Sequence, residues 1–202
     1  LAQNKTKGKE GVAMFNLQSS SFSHGGEIPK KYTIDGEGVS PPLNWDGVPE
    51  GTKSFALAMI DPDALPMATP AIYTHWVVYD IPASATGFSE GAGSGGELPP
   101  EAKQLPNSAA SLGMGDIGHG YGPPWPPDKS HRYTFTLYAL SEEKLPVSKD
   151  AGFMGFMRAI LPVTISSATL VGLYGPAERK MSTGRQLKSL VHIIGKRLSY
   201  KV

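Results

Sequence analysis

Glycine and proline constrain this chain more than any other residues. There are 24 glycines and 18 prolines among 202 residues, and they gather between short runs of β-branched and aromatic residues. Proline cannot donate to a strand ladder or continue a helix interior, and glycine clusters favour turns. Such a chain is predicted to fold as many short strands joined by long, shaped loops.

The apolar runs fit that frame. Val12–Leu17 reads as a first strand, Tyr32-Thr33 sits between turn-forming pairs, and Ser40-Pro41-Pro42-Leu43 opens an extended segment ending at Trp45. Ser54–Ile60 and His75–Ile81 are short enough for central strands, and Pro62 and Pro82 must stop them. Residues 87–107 include Gly91-Ala92-Gly93-Ser94-Gly95-Gly96 and Leu98-Pro99-Pro100, which predicts a surface excursion with no regular core element. Arg132–Leu140 alternates cleanly, with Tyr133, Phe135, Leu137 and Ala139 on one face and Thr134, Thr136 and Tyr138 on the other. Ser148 is placed to cap a helix carrying Phe153, Phe156, Met157, Ile160 and Leu161 at helical spacing, which Pro162 closes. Ser166–Tyr174 reads as the last strand of the body.

The length suits one domain, divided into a polar leader (1–11), a β-rich body (12–175) and a basic tail (176–202). In the tail, Leu187, Leu190, Val191, Ile194 and Leu198 form one helical stripe. Seven lysines and arginines there face only Glu178 in opposite charge, so the tail is predicted to be a basic amphipathic helix. Its stripe has three candidate covers: the body of its own subunit, a second copy across a two-fold axis, or an anionic membrane. Packing against the body is the most economical.

Charge and composition exclude several function classes. Lysine plus arginine count 19 against 18 acidic residues, which leaves no strong field to steer the molecule onto nucleic acid. The absence of cysteine removes disulfides and thiolate chemistry. No apolar run approaches the roughly 18 to 20 residues of a membrane-spanning helix, so a soluble or at most peripherally attached protein is expected. The opening Leu1-Ala2-Gln3 reads equally as the start of an exported, periplasmic protein after signal-peptide removal and as a trimmed cytoplasmic one.

Three segments carry candidate chemistry: Asp61-Pro62-Asp63-Ala64, Thr74-His75-Trp76, and Gly120-Tyr121-Gly122-Pro123-Pro124 leading to His131-Arg132-Tyr133. All lie at predicted strand–loop junctions. Two histidines and a carboxylate brought together make an oxyanion site, in which imidazole N–H groups donate to the anion and the carboxylate fixes the other ring proton. Taken singly the signals are ordinary, since Asp-Pro-Asp is a common turn and Arg132 is suited to a structural ion pair. Trp76 and Trp125 read as core and loop-anchoring aromatics.

Together with Tyr73-Thr74-His75-Trp76-Val77-Val78-Tyr79-Asp80-Ile81-Pro82, His131–Leu140, Ser40–Leu43 and Leu170–Gly175, these segments resemble the phosphatidylethanolamine-binding protein family in its bacterial and archaeal, Raf kinase inhibitor-like branch. The resemblance runs from about Phe15 to Gly175. It implies a mainly β fold, with a large central antiparallel sheet, a smaller flanking sheet and a few peripheral helices. It also implies a pocket for phosphate, acetate or a phospholipid headgroup, built from Asp61, Asp63, His75, Gly122, Pro123, His131 and Tyr133, with no metal or cofactor. Some relatives inhibit kinases or serine proteases; no protein target is specified by these residues. The chain departs from the family pattern in placing Leu65 before Pro66, in the insertion-like segment Ala109–Gly118, in His119 beside the mouth, and in the long tail.

The expectation is therefore a binding module rather than an enzyme. The alternative is a hydrolase using Asp61 or His131 as base. Against it stand the missing Gly-x-Ser-x-Gly elbow, the missing cysteine, and the lack of a serine or threonine in the constellation.

Overall fold

The computed structural model describes residues 14–64, 72–113 and 118–175. The leader, the tail helix with its three candidate covers, and the Leu65-Pro66 loop lie outside the described residues.

Among the described residues, nine strands form two sheets. The smaller joins β1 (Asn16–Gln18), β3 (Leu43–Asp46) and β6 (Gly87–Phe88) in the order β1-β3-β6. The larger has the order β2-β9-β8-β4-β5-β7, from β2 (Gly26–Glu27), β4 (Ser54–Asp61), β5 (Tyr73–Pro82), β7 (Lys103–Gln104), β8 (His131–Leu140) and β9 (Thr164–Tyr174). Its pairings are antiparallel except for β2 against β9. The mainly β architecture of a large and a small sheet is thus as the sequence indicated.

Both faces of the large sheet are covered, which explains why β4 and β5 are apolar at consecutive positions. Phe55, Leu57 and Met59 of β4 join Tyr133, Phe135, Leu137 and Ala139 of β8 in a core with Leu43, Trp45 and Phe88 of the small sheet. On the opposite face, Ala56 and Ala58 pack with Val77, Tyr79, Phe156 and Ile160. The last two belong to helix α2 (Gly152–Ile160). The small alanines leave room for its bulky side chains.

Three sequence expectations are corrected. β1 begins later than Val12, at Asn16. Helix α2 is preceded by Ala151 with no side-chain cap, while the Ser148 hydroxyl accepts from the Asp150 N–H in the turn before it. Residues 87–107 are not a mere surface excursion: they supply β6 and β7, and Phe88, Ala92 and Leu105 are buried. Glycine permits this at Gly93, where a Cβ would lie 2.5 Å from the Trp76 ring. A short helix α1 (Ser108–Ser111) is capped by the Asn107 side chain, which accepts from the Ala109 N–H. Among the described residues no helix is long and apolar enough to cross a membrane.

Phe156 anchors α2 to the sheet and is fully buried. Phe156→Ala is expected to lower unfolding free energy by about 3–5 kcal/mol in urea titrations. A loss under about 1 kcal/mol would show that α2 contributes little to the second core.

Candidate anion site

The ends of β4, β5 and β8 meet at one end of the large sheet. Alternation along β4 puts Asp61 on the face of Phe55, Leu57 and Met59, and alternation along β8 puts His131 and Tyr133 on the same face as Phe135. His75 should by that rule face away from them, because its neighbour Trp76 already occupies the shared face. It does not, because Met59 pairs with Trp76 while the next residue, Ile60, pairs with Thr74. His75 is the extra residue of a β-bulge, and the bulge turns its ring onto the Tyr133 side. The two rings meet edge to face with centroids 5.1 Å apart, and Tyr73 lies 4.8 Å away on the same imidazole.

The glycine loop hangs from this bulge. The Gly122 N–H donates to the His75 carbonyl at 2.7 Å, and the Gly122 carbonyl accepts from His75 Nδ1 at 2.7 Å. That second bond fixes the Nδ1–H tautomer and leaves Nε2 as the remaining polar atom of the ring. A side chain at residue 122 would crowd both partners, since its Cβ would lie 3.2 Å from the His75 carbonyl oxygen and 3.1 Å from Asn107 Nδ2. Asn107 also donates to the Gly120 carbonyl, and the Tyr121 hydroxyl donates to the Tyr32 carbonyl.

Asp61 is the hub. Its Oδ1 accepts from the N–H groups of Asp63 (2.8 Å) and Ala64 (2.9 Å), closing the Asp-Pro-Asp turn, and its Oδ2 accepts from His131 Nδ1 at 2.7 Å. His131 Nε2 reaches a second carboxylate, Asp128 Oδ1, at 2.9 Å. Burial disfavours the His131 cation, but hydrogen bonds to Asp61 and Asp128 outweigh it and raise the pKa above 6.5. His75 goes the other way. Burial pushes it down to about 4, with the bond to Gly122 only partly compensating. One imidazole is therefore cationic and its neighbour neutral at mildly acidic pH.

Asp63 has a different partner. Both its oxygens are engaged by Arg132, through Nη2 (2.7 Å), Nε (2.9 Å) and the backbone N–H (2.9 Å), and these hydrogen bonds hold its carboxyl well below the usual range. The pair is the structural one foreseen for Arg132, and it ties Asp63 to the outer face of the sheet. Tyr133 is wholly buried, and its hydroxyl alone among the described buried side-chain polar atoms has no hydrogen-bond partner; the Trp125 backbone lies near it without reaching hydrogen-bond geometry. Burial raises its pKa far above the ordinary tyrosine value, so it remains a donor.

Pro123 and the exposed His119 border a separate groove of about 590 Å³, with Glu37, Ser94, Gln104 and Gly120; Asp61, His75, His131 and Tyr133 do not line it. Sequence reasoning missed Asp128 and Tyr73. Asp128 stands three residues before His131 in a proline-bounded loop, a spacing that carries no signal unless the loop turns back on itself. No group of three or more His, Asp or Glu among the described residues could hold a metal ion.

The sign of the His75 shift gives a stability test. Its folded-state pKa is depressed, so its contribution is present above pH 6.5 and is lost as pH falls from there towards 4. His75→Gln retains an N–H donor for the Gly122 carbonyl and removes the titration. Urea midpoints measured from about pH 7 to about pH 4.5 should show a flatter acid limb in the variant, and an unchanged limb would place the acid sensitivity elsewhere.

A sequence model of the phosphatidylethanolamine-binding protein family matches residues 18–175. Similar proteins include the UPF0098 proteins of Methanothermobacter thermautotrophicus (40% identical, covering 79% of this chain and 97% of the relative) and Aquifex aeolicus (41%, covering 81% and 90%). Among solved structures, Escherichia coli YbcL, described as a member of the mammalian family, superposes with a TM-score of 0.71 at 34% identity, covering 81% of this chain and 99% of that one. A homolog from Chlamydia trachomatis gives 0.69 at 34% identity, covering 80% and 97%. The match over the whole β body, with the two-sheet fold beneath it, means that this chain belongs to the phosphatidylethanolamine-binding protein family.

Proposed function

We propose that Asp61, His75, His131 and Tyr133 form a binding site for an oxyanion, the phosphate or carboxylate group of a small ligand or lipid headgroup, and that the site does no chemistry on it. Family membership supports ligand binding in general. The observation that carries the finer reading is the Tyr133 hydroxyl, a buried donor with no acceptor of its own, edge to face with the neutral His75 and on the same face of β8 as the cationic His131. A buried hydroxyl left unpaired costs about 1–3 kcal/mol. An anionic oxygen beside it would accept that bond and a charge-assisted one from His131. Gly122 contributes by holding His75, and Asp63 by fixing the turn that holds Asp61.

Binding without turnover is favoured by the company the histidines keep. Both are hydrogen-bonded to carboxylate or carbonyl oxygens, and among the described residues neither is bonded to a serine or threonine hydroxyl that it could activate. A hydrolase reading would require the bound ligand to bring its own nucleophile.

Tyr133→Phe separates fold from function. Deleting an unpartnered hydroxyl should leave unfolding free energy unchanged or raise it, while weakening phosphate or phosphoethanolamine binding by about tenfold in calorimetry. Unaltered affinity in a stably folded variant would remove Tyr133 from the site and with it the main support for the reading. Turnover of a phosphate ester or carboxylic ester that disappears in His131→Ala would transfer the argument to the hydrolase.

Affinity should also depend on pH in a fixed direction. His131 has a raised pKa, so the cationic donor is present below 6.5 and is lost as pH rises through the folded-state value. Phosphate affinity is predicted to fall across that range, with net proton uptake on binding where His75 is neutral beforehand. Constant affinity from about pH 6 to about pH 9 would contradict a histidine-based anion site.

A further inference from the structure

We infer that Asp128 is a built-in competitor of the anion: its carboxylate occupies the His131 donor that an incoming ligand must use, and binding exchanges one oxyanion for the other. The inference rests on the anion-site reading above.

His131 offers two ring donors, and the two carboxylates on them are not equivalent. Asp61 is buried and pinned by two backbone N–H groups as well as by His131 Nδ1. It cannot leave without opening the turn and stranding a charge. Asp128 sits in the exposed loop before β8, with 37% of its side chain accessible, while the His131 side chain that it meets is only 2% accessible. Asp128 Oδ1 lies 2.9 Å from Nε2, so it supplies the acceptor that a phosphate or carboxylate oxygen would supply. A rotation of its side chain returns it to water at small cost and uncovers Nε2.

Charge makes the exchange necessary. With Asp61 and Asp128 both facing one imidazolium, the cluster carries an excess negative charge, and Asp63 is already neutralised by Arg132. An anion added to that arrangement meets repulsion, whereas an anion that replaces Asp128 leaves the local charge as it was. The ligand therefore binds only the fraction of molecules in which Nε2 is uncovered, and its apparent affinity is reduced by that fraction. The same factor applies to every anion that uses Nε2, so a ligand with few other contacts needs a correspondingly higher concentration to occupy the site.

The test is calorimetric titration of inorganic phosphate at about pH 6, below the ordinary histidine pKa, into the wild-type protein, Asp128→Ala and Asp128→Asn. Asp128→Ala is expected to bind about tenfold more tightly, as for a donor covered in about nine of ten molecules. Asp128→Asn, which keeps an acceptor but not the charge, should fall between. Phosphate binding that is equal or weaker in Asp128→Ala, with the wild type binding, overturns the competitor and leaves the anion site standing. Binding by none of the three folded proteins overturns the anion site itself, and the competitor with it.

Discussion

The buried contact between Asp61 and His131 is the interaction on which the rest of this site depends. It joins the last residue of β4 to the first of β8, and the same carboxylate closes the turn that follows β4. Removing one partner of such a pair strands a desolvated charge at a cost of roughly 3–5 kcal/mol. The Asp63–Arg132 contact ties the same two strands on the outer face, but the arginine side chain is 59% exposed. Exposed pairs contribute about 0.2–1 kcal/mol. The magnitudes assign the inner pair the structural weight and leave the outer one to fix the turn's direction.

Around that pair, a β-bulge does what regular strand geometry cannot. Without the extra residue in β5, His75 would point to the α2 face of the sheet, and the two histidines would lie on opposite sides. The bulge also presents the His75 backbone carbonyl and ring Nδ1 to the same peptide unit, so one loop residue, Gly122, holds both. Identical side chains thereby acquire different charge states. His131 has carboxylates on both nitrogens, and His75 has a carbonyl and the aromatic rings of Tyr73 and Tyr133.

Much of this was legible in the chain because period-2 patterning survives where strands are regular. The alternation of Tyr133, Phe135, Leu137 and Ala139 located β8 and its buried face, and the prolines at 62 and 82 marked the ends of β4 and β5 within a residue. The family resemblance names His75 as a pocket residue, yet the geometry that brings its ring to Tyr133 is not legible in the chain, since a bulge is a register event between two strands and leaves no mark in one of them. Asp128 was missed because only the folding back of the Pro126–Ser130 loop brings it to His131. Glycine-rich composition points to exposure across residues 87–107, yet Phe88 and Leu105 are buried, because glycine lets the loop lie directly on the Trp76 ring.

The central claim is that two neighbouring histidines are held in opposite charge states by their different acceptors. Nitrogen-15 NMR of the imidazoles at about pH 6 reads this directly. The account predicts an imidazolium with both nitrogens protonated at His131 and a neutral ring protonated at Nδ1 at His75, which titrates only near the value of about 4 set by its burial. A neutral His131 at that pH, or a His75 that titrates at the ordinary value of 6.5 or carries its proton on Nε2, would contradict it.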